Sequence, residues 1–420
     1  MSKVRLEKGH SAEVFSIPDS MVMGTLMGED LPGLPPEIIC QEVAAGIKQW
    51  TPRDIHHKKV AIIVPDDTRL WARGEMIVPV IVNTLMGLGV PAHAITILIA
   101  LGTHADVEPE GFVALVGKAC VGKVQILNSA NKNQDRLVDI GLTDHGTRVS
   151  TTREAWDADH VIIFGGVLHH LIAGFGGGRK YILPGIAGYD AIQQNHSLAF
   201  LADGSPHPMV RQASLLKNPV HEDMEAAAQL FFAKKTSTYV TVAANGMGEI
   251  FFTSTGPVTE TFEQGCRQVD RACTVTIDQQ ADFALISAGG HKTDGQLYQA
   301  TKALVNAVNA VKEGGQILFV AQARDGIGNP IFGEMLKEYN GCPEKIGSRL
   351  VKQFNMPSYV AFRVMDLLKR FDITLVSEFS PQETRELGFK YTNSLEYYVS
   401  TLTGKGYIIP FAENILPIFN

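Results

Sequence analysis

Short, continuous runs of apolar residues recur along this chain, separated by stretches whose apolar positions repeat at helical spacing. Residues 59–64 (KVAIIV), 94–101 (AITILIAL), 123–127 (KVQIL) and 160–164 (HVIIF) read as strands buried on both faces. Residues 74–88 and 108–117 show the helical period between them. The pattern restarts downstream, with a strand at 281–287 (ADFALIS), a helix at about 296–312 and a strand at 316–321 (QILFVA). Strands alternating with helices predict an α/β protein: two α/β domains with mainly parallel sheets and an active-site cleft between them. The polar passage 251–280 places the boundary. It gives an N-terminal domain over 1–270, with 405–420 a candidate completion of it, and a C-terminal domain over 275–404.

Polar chemistry collects just after the predicted strands. Asp67, Thr68 and Arg69 follow the first, His104 follows the second, His169 and His170 follow another, and Tyr298, Gln299 and Lys302 open the helix after a fourth. Ligands of open parallel sheets bind outside the carboxyl ends of the strands, so these side chains are the candidate site. Arg69 is either a local ion-pair partner of the preceding aspartates or a bidentate clamp on a substrate carboxylate. Tyr298, Gln299 and Lys302 share one helical face, as a pocket wall or simply a polar surface.

The densest segment is HHLIAGFGGGRKYILPGIAGYDAIQQNH, which sets His170 ten residues before Lys180 and His196 sixteen after it. A general base, a reactive amine and a metal ligand can share one pocket on that spacing. Its glycines, including Gly176 and Gly177, do not form a nucleotide P-loop, because Arg179 intervenes before Lys180 and Tyr181 follows. They allow close backbone approach to a planar or anionic ligand, or make a structural turn.

Composition narrows the setting. The 420 residues are 45% hydrophobic with a net charge of -7, which argues against nucleic acid or an anionic membrane as the main partner. Five scattered cysteines without a Cys-x-x-Cys fit free thiols in a reducing compartment. No signal-peptide core and no uncharged apolar run of about 18 residues occurs, so a cytoplasmic location is expected.

These motifs resemble the nickel-dependent lactate racemase family over nearly the whole chain. The matches are Asp66-Asp67-Thr68-Arg69, Gly102-Thr103-His104, the segment His170 to Lys180, Asn195-His196 and the helix start Leu297 to Lys302. The resemblance implies an isomerase, a racemase or epimerase of a 2-hydroxy acid acting by hydride transfer. Its cofactor would be a nickel pincer nucleotide, a pyridinium mononucleotide joined through a thioamide to Lys180. It implies His196 as the protein ligand to nickel, which suits a tetragonal site with sulfur donors. His104 and His170 match the catalytic histidines, one taking the hydroxyl proton and the other supplying it on the opposite face. Asp67, Thr68, Gly176 and Gly177 would contact the cofactor, while Arg69, Tyr298, Gln299 and Lys302 would hold the substrate. Cofactor-maturation proteins are implied as partners.

Leu70 stands where the family commonly has proline, and Arg179 where a small or neutral residue is usual. Trp71 and Arg73 lie beside the same loop. These departures point to a substrate larger or more acidic than lactate, with Arg179 offered to a second carboxylate or to the cofactor phosphate. The alternatives are a zinc or other metal hydrolase using some of His169, His170 and His196, a catalytically silent metabolite-binding member, and an epimerase of sugar acids.

Overall fold

The computed structural model describes residues 1–339 and 341–419. It divides into two compact units, one of residues 30–199 and 207–271, the other of 1–29, 200–206 and 272–420.

The first unit is built on a six-stranded sheet. Its order is Ile250–Gly256, Thr236–Ala244, His160–Gly166, Val60–Pro65, Ile95–Ala100 and Gln125–Asn128. All neighbours run parallel except the edge strand Ile250–Gly256. Val60–Pro65 is buried along its whole length, as a strand covered on both faces must be. From it the chain proceeds outward through Ile95–Ala100 to one edge, then returns to lay His160–Gly166 on its other side. The strands Val60–Pro65 and His160–Gly166 thus flank the topological switch point, where their outgoing loops diverge and leave room for a ligand. Ile62, Val64, Ile77, Ile81, Ile97 and Phe164 belong to the core beneath, and Trp71 packs against it.

The second unit carries its own six-stranded sheet, ordered Lys390–Tyr391, Asp372–Val376, Val311–Val320, Ala281–Ser287, Gly406–Ile409 and Val22–Thr25. Every neighbouring pair in it is parallel. The helix Leu297–Ala307 follows its central strand Ala281–Ser287.

Two expectations change. Residues 1–29, assigned from sequence to the N-terminal domain, and 405–420, its candidate completion, belong to the second unit, because Val22–Thr25 and Ala281–Ser287 both pair with Gly406–Ile409. The chain passes from one unit to the other at 271–272, within the passage 251–280 that placed the boundary. That passage contains the strand Ile250–Gly256, the helix Val258–Cys273 and the strand Thr274–Ile277, and the helix buries Phe262, Cys266 and Val269 at helical spacing. The helix expected over 108–117 is only Phe112–Val116 after a single 3-10 turn, Pro109–Gly111; Gly117 ends it at φ +77.

Candidate active site

The geometry around His104, Lys180 and His196 lies within the first unit. Val60–Pro65 delivers Asp66 directly from the buried strand, so this carboxylate is 4% exposed while Asp67 and Thr68 are exposed. Asp66 Oδ1 accepts from the Thr68 amide at 3.1 Å and the Thr68 hydroxyl at 2.5 Å. Asp66 Oδ2 pairs with Nδ1 of His104, which arrives from the loop after Ile95–Ala100. Burial pushes the Asp66 carboxyl up, but the hydrogen bond and charge of His104, with the bond from Thr68, outweigh it and hold the group below the usual carboxylate range. An ionised carboxylate only accepts, so His104 carries hydrogen on Nδ1. The His104 side chain is 52% exposed. Arg69 folds back so that Nη1 donates to the carbonyl and hydroxyl oxygens of Thr68, each at 3.0 Å.

His160–Gly166 leads into a short hairpin, His169–His170 with Gly174–Phe175. Its turn folds the amides of Ile172 and Ala173 onto His170 Nδ1, at 3.3 and 3.2 Å. His170 Nε2 lies 2.6 Å from Lys180 Nζ. Burial above all, then the charges of Arg69 and Arg179, depress the Lys180 amine well below its ordinary value. Burial likewise holds the His170 imidazole well below its ordinary value, with Lys180 and Arg69 adding to the effect. Gly177 sits in the turn before Lys180 at φ +99, where a Cβ would meet the Tyr239 hydroxyl at 2.7 Å and Val167 Cγ2 at 2.8 Å. Gly176 is buried beside Leu168.

His196, on the helix Tyr189–Ser197, is 5% exposed and bonds through Nδ1 to Asn195 Oδ1 at 3.0 Å. The Asn195 amide is oriented by its other end, which donates to Asp223 Oδ2 at 2.8 Å and Val220 O at 3.0 Å. Asp223 in turn accepts from the Thr143 hydroxyl at 2.5 Å and the Thr147 hydroxyl at 2.7 Å. This chain fixes His196 as the Nδ1–H tautomer, with the Nε2 lone pair on the other side. Burial first, then Lys180, push its pKa down to about 3, so the imidazole is neutral, the form that ligates metals.

Arg179 is not offered to any ligand; it is 1% exposed. Nε donates to His221 Nδ1 at 2.9 Å, Nη1 to Gly177 O at 3.2 Å and Nη2 to Ala173 O at 2.7 Å. Its guanidinium lies 4.3 Å from the Phe262 ring centroid, and Glu225 is 3.7 Å from Nε. The expectation that Arg179 serves a second carboxylate or a phosphate is therefore corrected. It pins both flanks of the glycine run from behind, and its donors are taken by the loop itself. Arg73, also singled out beside the substrate loop, pairs with Glu75 at 2.6 Å.

His169 turns to Asp270 on the helix Val258–Cys273, at 2.9 Å. Among the described residues no three His, Cys, Asp or Glu side chains gather to hold a metal ion, which is what the hydrolase alternative needs. Tyr298, Gln299 and Lys302 lie in the other unit, at the start of the helix Leu297–Ala307. Gln299 and Lys302 are exposed, and Tyr298 packs edge-on against Phe332, 5.4 Å between ring centroids. Lys302 is near enough to Glu413 for its charge to draw that carboxyl down, against burial that pushes it up to about 7.

Sequence reasoning missed Asp66 as a working residue, although its place at the end of a fully apolar strand was the available signal. It also missed Asn195 and Asp223 as the support of His196, which no local spacing announces.

A buried amine against an imidazole, and a second imidazole set by a carboxylate, both on loops that leave a parallel sheet, define an α/β protein with a nucleophile-and-base site. The family model described as the lactate racemase N-terminal domain matches residues 9–207, and the one for the lactate racemase C-terminal domain matches 276–404. The chain belongs to the lactate racemase family. A lactate racemase of Lactiplantibacillus plantarum is 33% identical over 286 residues, which are 68% of this chain and 65% of that protein's length. One from Thermoanaerobacterium thermosaccharolyticum is 28% identical over 346 residues, covering 80% of this chain and 78% of the relative. The solved lactate racemase apoprotein from T. thermosaccharolyticum superposes with a TM-score of 0.86 at 24% identity, over 99% of this chain and 100% of that one. A Thermotoga maritima crystal structure superposes at 0.66 with 18% identity, over 94% of this chain and 100% of that one. No helix among the described residues is long and apolar enough to cross a membrane.

Proposed function

We propose that this protein is a racemase or epimerase of 2-hydroxy acids, using a nickel pincer nucleotide tethered to Lys180. The observation that carries the proposal is the 2.6 Å approach of Lys180 Nζ to His170 Nε2, in surroundings that disfavour the ammonium form. Acyl transfer to a lysine needs the neutral amine, and burial favours that form at Lys180. The donor set fits the group: a nucleophilic amine for the tether, and the neutral imidazole of His196 with its Nε2 lone pair for nickel. The chemistry such a group supplies when bound is reversible acceptance of the C2 hydrogen with its electron pair.

The chain's own residues do the rest. His104 Nε2 takes the substrate hydroxyl proton, and Asp66 stabilises the imidazolium that results. Arg69 swings from Thr68 to clamp the substrate carboxylate. His170 is the second site histidine, and Asp67, Thr68, Gly176 and Gly177 border the tethered nucleotide. Tyr298, Gln299 and Lys302 are assigned to the substrate on the match of their motif alone. Proteins that build the cofactor are the partners this function requires, and the cytoplasm is where they would meet the chain.

The test is intact and peptide mass spectrometry with a nickel assay, on protein co-produced with the family's cofactor-making enzymes. A large adduct on Lys180 with bound nickel is expected. Turnover of a panel of stereopure 2-hydroxy acids, lactate and sugar acids included, then identifies the substrate. An unmodified Lys180, in a host that loads a known family member, would overturn the proposal.

A further inference from the structure

The loop that carries His104 leaves the strand Ile95–Ala100 and is fastened at both ends by one short segment, residues 128–131, at the end of the edge strand Gln125–Asn128. The Asn128 side chain holds the far end as a strand neighbour would. Its Oδ1 accepts from the Val107 amide at 3.3 Å and its Nδ2 donates to the Val107 carbonyl at 3.0 Å. The Ser129 hydroxyl holds the near end, accepting from the Leu101 amide at 3.2 Å and donating to the Gly185 carbonyl at 3.2 Å. Asn131 Nδ2 donates to the Gly102 carbonyl at 2.7 Å. The same segment reaches the elements of the other site groups. Gly185 O also accepts from the Gly102 amide at 3.0 Å, and the Gly185 amide donates to the carbonyl of Lys180 at 2.9 Å. Asn131 O accepts at 2.9 Å from the amide of Tyr189, the first residue of the helix that carries His196.

We infer that Asn131 is a positioning residue, whose side-chain amide sets the place of His104 relative to Lys180 and His196, with Asn128 and Ser129 as its supports. The backbone at Asn131 is left-handed, φ +32, and its Oδ1 is buried with no hydrogen-bond partner among the described residues. Glycine would adopt that backbone with less strain and leave no orphan oxygen. What asparagine adds is the donor on Gly102, two residues before His104. The His104 side chain is 52% exposed and Asp66 grips it at Nδ1 alone, so where its ring stands follows from where the loop is tied. A base displaced by about 1 Å loses about 10²-fold in rate, although it keeps its chemistry. The effect on turnover rests on the racemase proposal; the fastening of the loop does not.

The test is Asn131→Gly, which keeps the carbonyl on Tyr189 and the left-handed backbone and removes only the side-chain amide. Asn131→Asp is the second variant, equal in size, with an acceptor where Gly102 O needs a donor. On the full-length apoprotein, hydrogen–deuterium exchange of the 101–107 amides should run about two- to tenfold faster in Asn131→Gly, the fold-change of one lost hydrogen bond, with Tyr189–Ser197 unchanged. On protein co-produced with the cofactor-making enzymes, the Lys180 adduct and bound nickel should match the wild type. There kcat should fall at least about tenfold in both variants while KM stays within about threefold. Unchanged exchange over 101–107, or an unchanged kcat in Asn131→Gly, would overturn the inference. So would loss of the adduct in step with kcat, which marks a general structural role. Absence of turnover in the wild type would strike the racemase proposal, and the exchange measurement would still decide the fastening.

Discussion

Replacing Arg179 with methionine keeps most of the side chain's length and removes only the guanidinium. The structure assigns a large cost to that change. Two buried carbonyls, of Ala173 and Gly177, lose charge-assisted donors, His221 Nδ1 loses its bond and Phe262 loses its cation. Glu225, whose carboxyl burial already pushes up while Arg179 draws it down, is left with burial and the charge of Glu263, both pushing it up. Breaking a buried charged pair costs about 3–5 kcal/mol, and methionine packing recovers only part of it. All three tryptophans, Trp50, Trp71 and Trp156, lie in the unit that contains Arg179. Their fluorescence therefore reports the unfolding of that unit in urea. With a slope of about 1–3 kcal/mol per molar, the midpoint should fall by about 1 M. Arg179→Lys should recover little, because an ammonium cannot serve three directions in one plane. An unchanged midpoint combined with a raised KM would refute the reasoning and return Arg179 to the ligand.

Acid should weaken the same unit before carboxylates titrate. Burial holds His160 down to about 4 and His196 down to about 3, so between about pH 6.5 and those values the unfolded chain binds protons that the folded one refuses. Stability falls as pH falls through that window, by about 2 kcal/mol per histidine at pH 5. A urea midpoint flat from pH 7 to pH 5 would contradict this. Asp66→Asn should leave the fold intact and lower kcat by about 10²-fold or more, since the amide cannot stabilise a His104 imidazolium; near-normal turnover would remove Asp66 from the mechanism. Gly177→Ala combines a left-handed backbone with a Cβ 2.7 Å from the Tyr239 hydroxyl, and should cost about 1–3 kcal/mol together with loss of the Lys180 adduct. Melting and intact mass check both halves.

The central strands were legible because burial on both faces writes them as unbroken apolar runs: residues 59–64 became Val60–Pro65 and 281–287 became Ala281–Ser287. The helix Val258–Cys273 was not, and the reason is physical. It carries Gly265, where a Cβ would stand 2.8 Å from Val167 Cγ2. Close packing selected the residue that weakens the helical signal. The membership of residues 1–29 depends on pairing between Val22–Thr25 and Gly406–Ile409, almost four hundred positions apart, which no local pattern encodes. In the site, the histidines and Lys180 stood out by type. The division of labour between Asp66 and Asp67 did not, because adjacent aspartates differ only in which one the strand leaves inside. Arg179 looked like a free cation for the same reason: charge is visible in a sequence, and the partners that consume it are not.

The hydrogen-bonded line from Thr143 and Thr147 through Asp223 and Asn195 to His196 makes the aim of one imidazole the business of a hairpin turn and two helices. If His196 holds nickel as proposed, the grip on the metal extends to threonines that meet no ligand. Exchange of Thr143 or Thr147 should then change cofactor retention more than substrate choice.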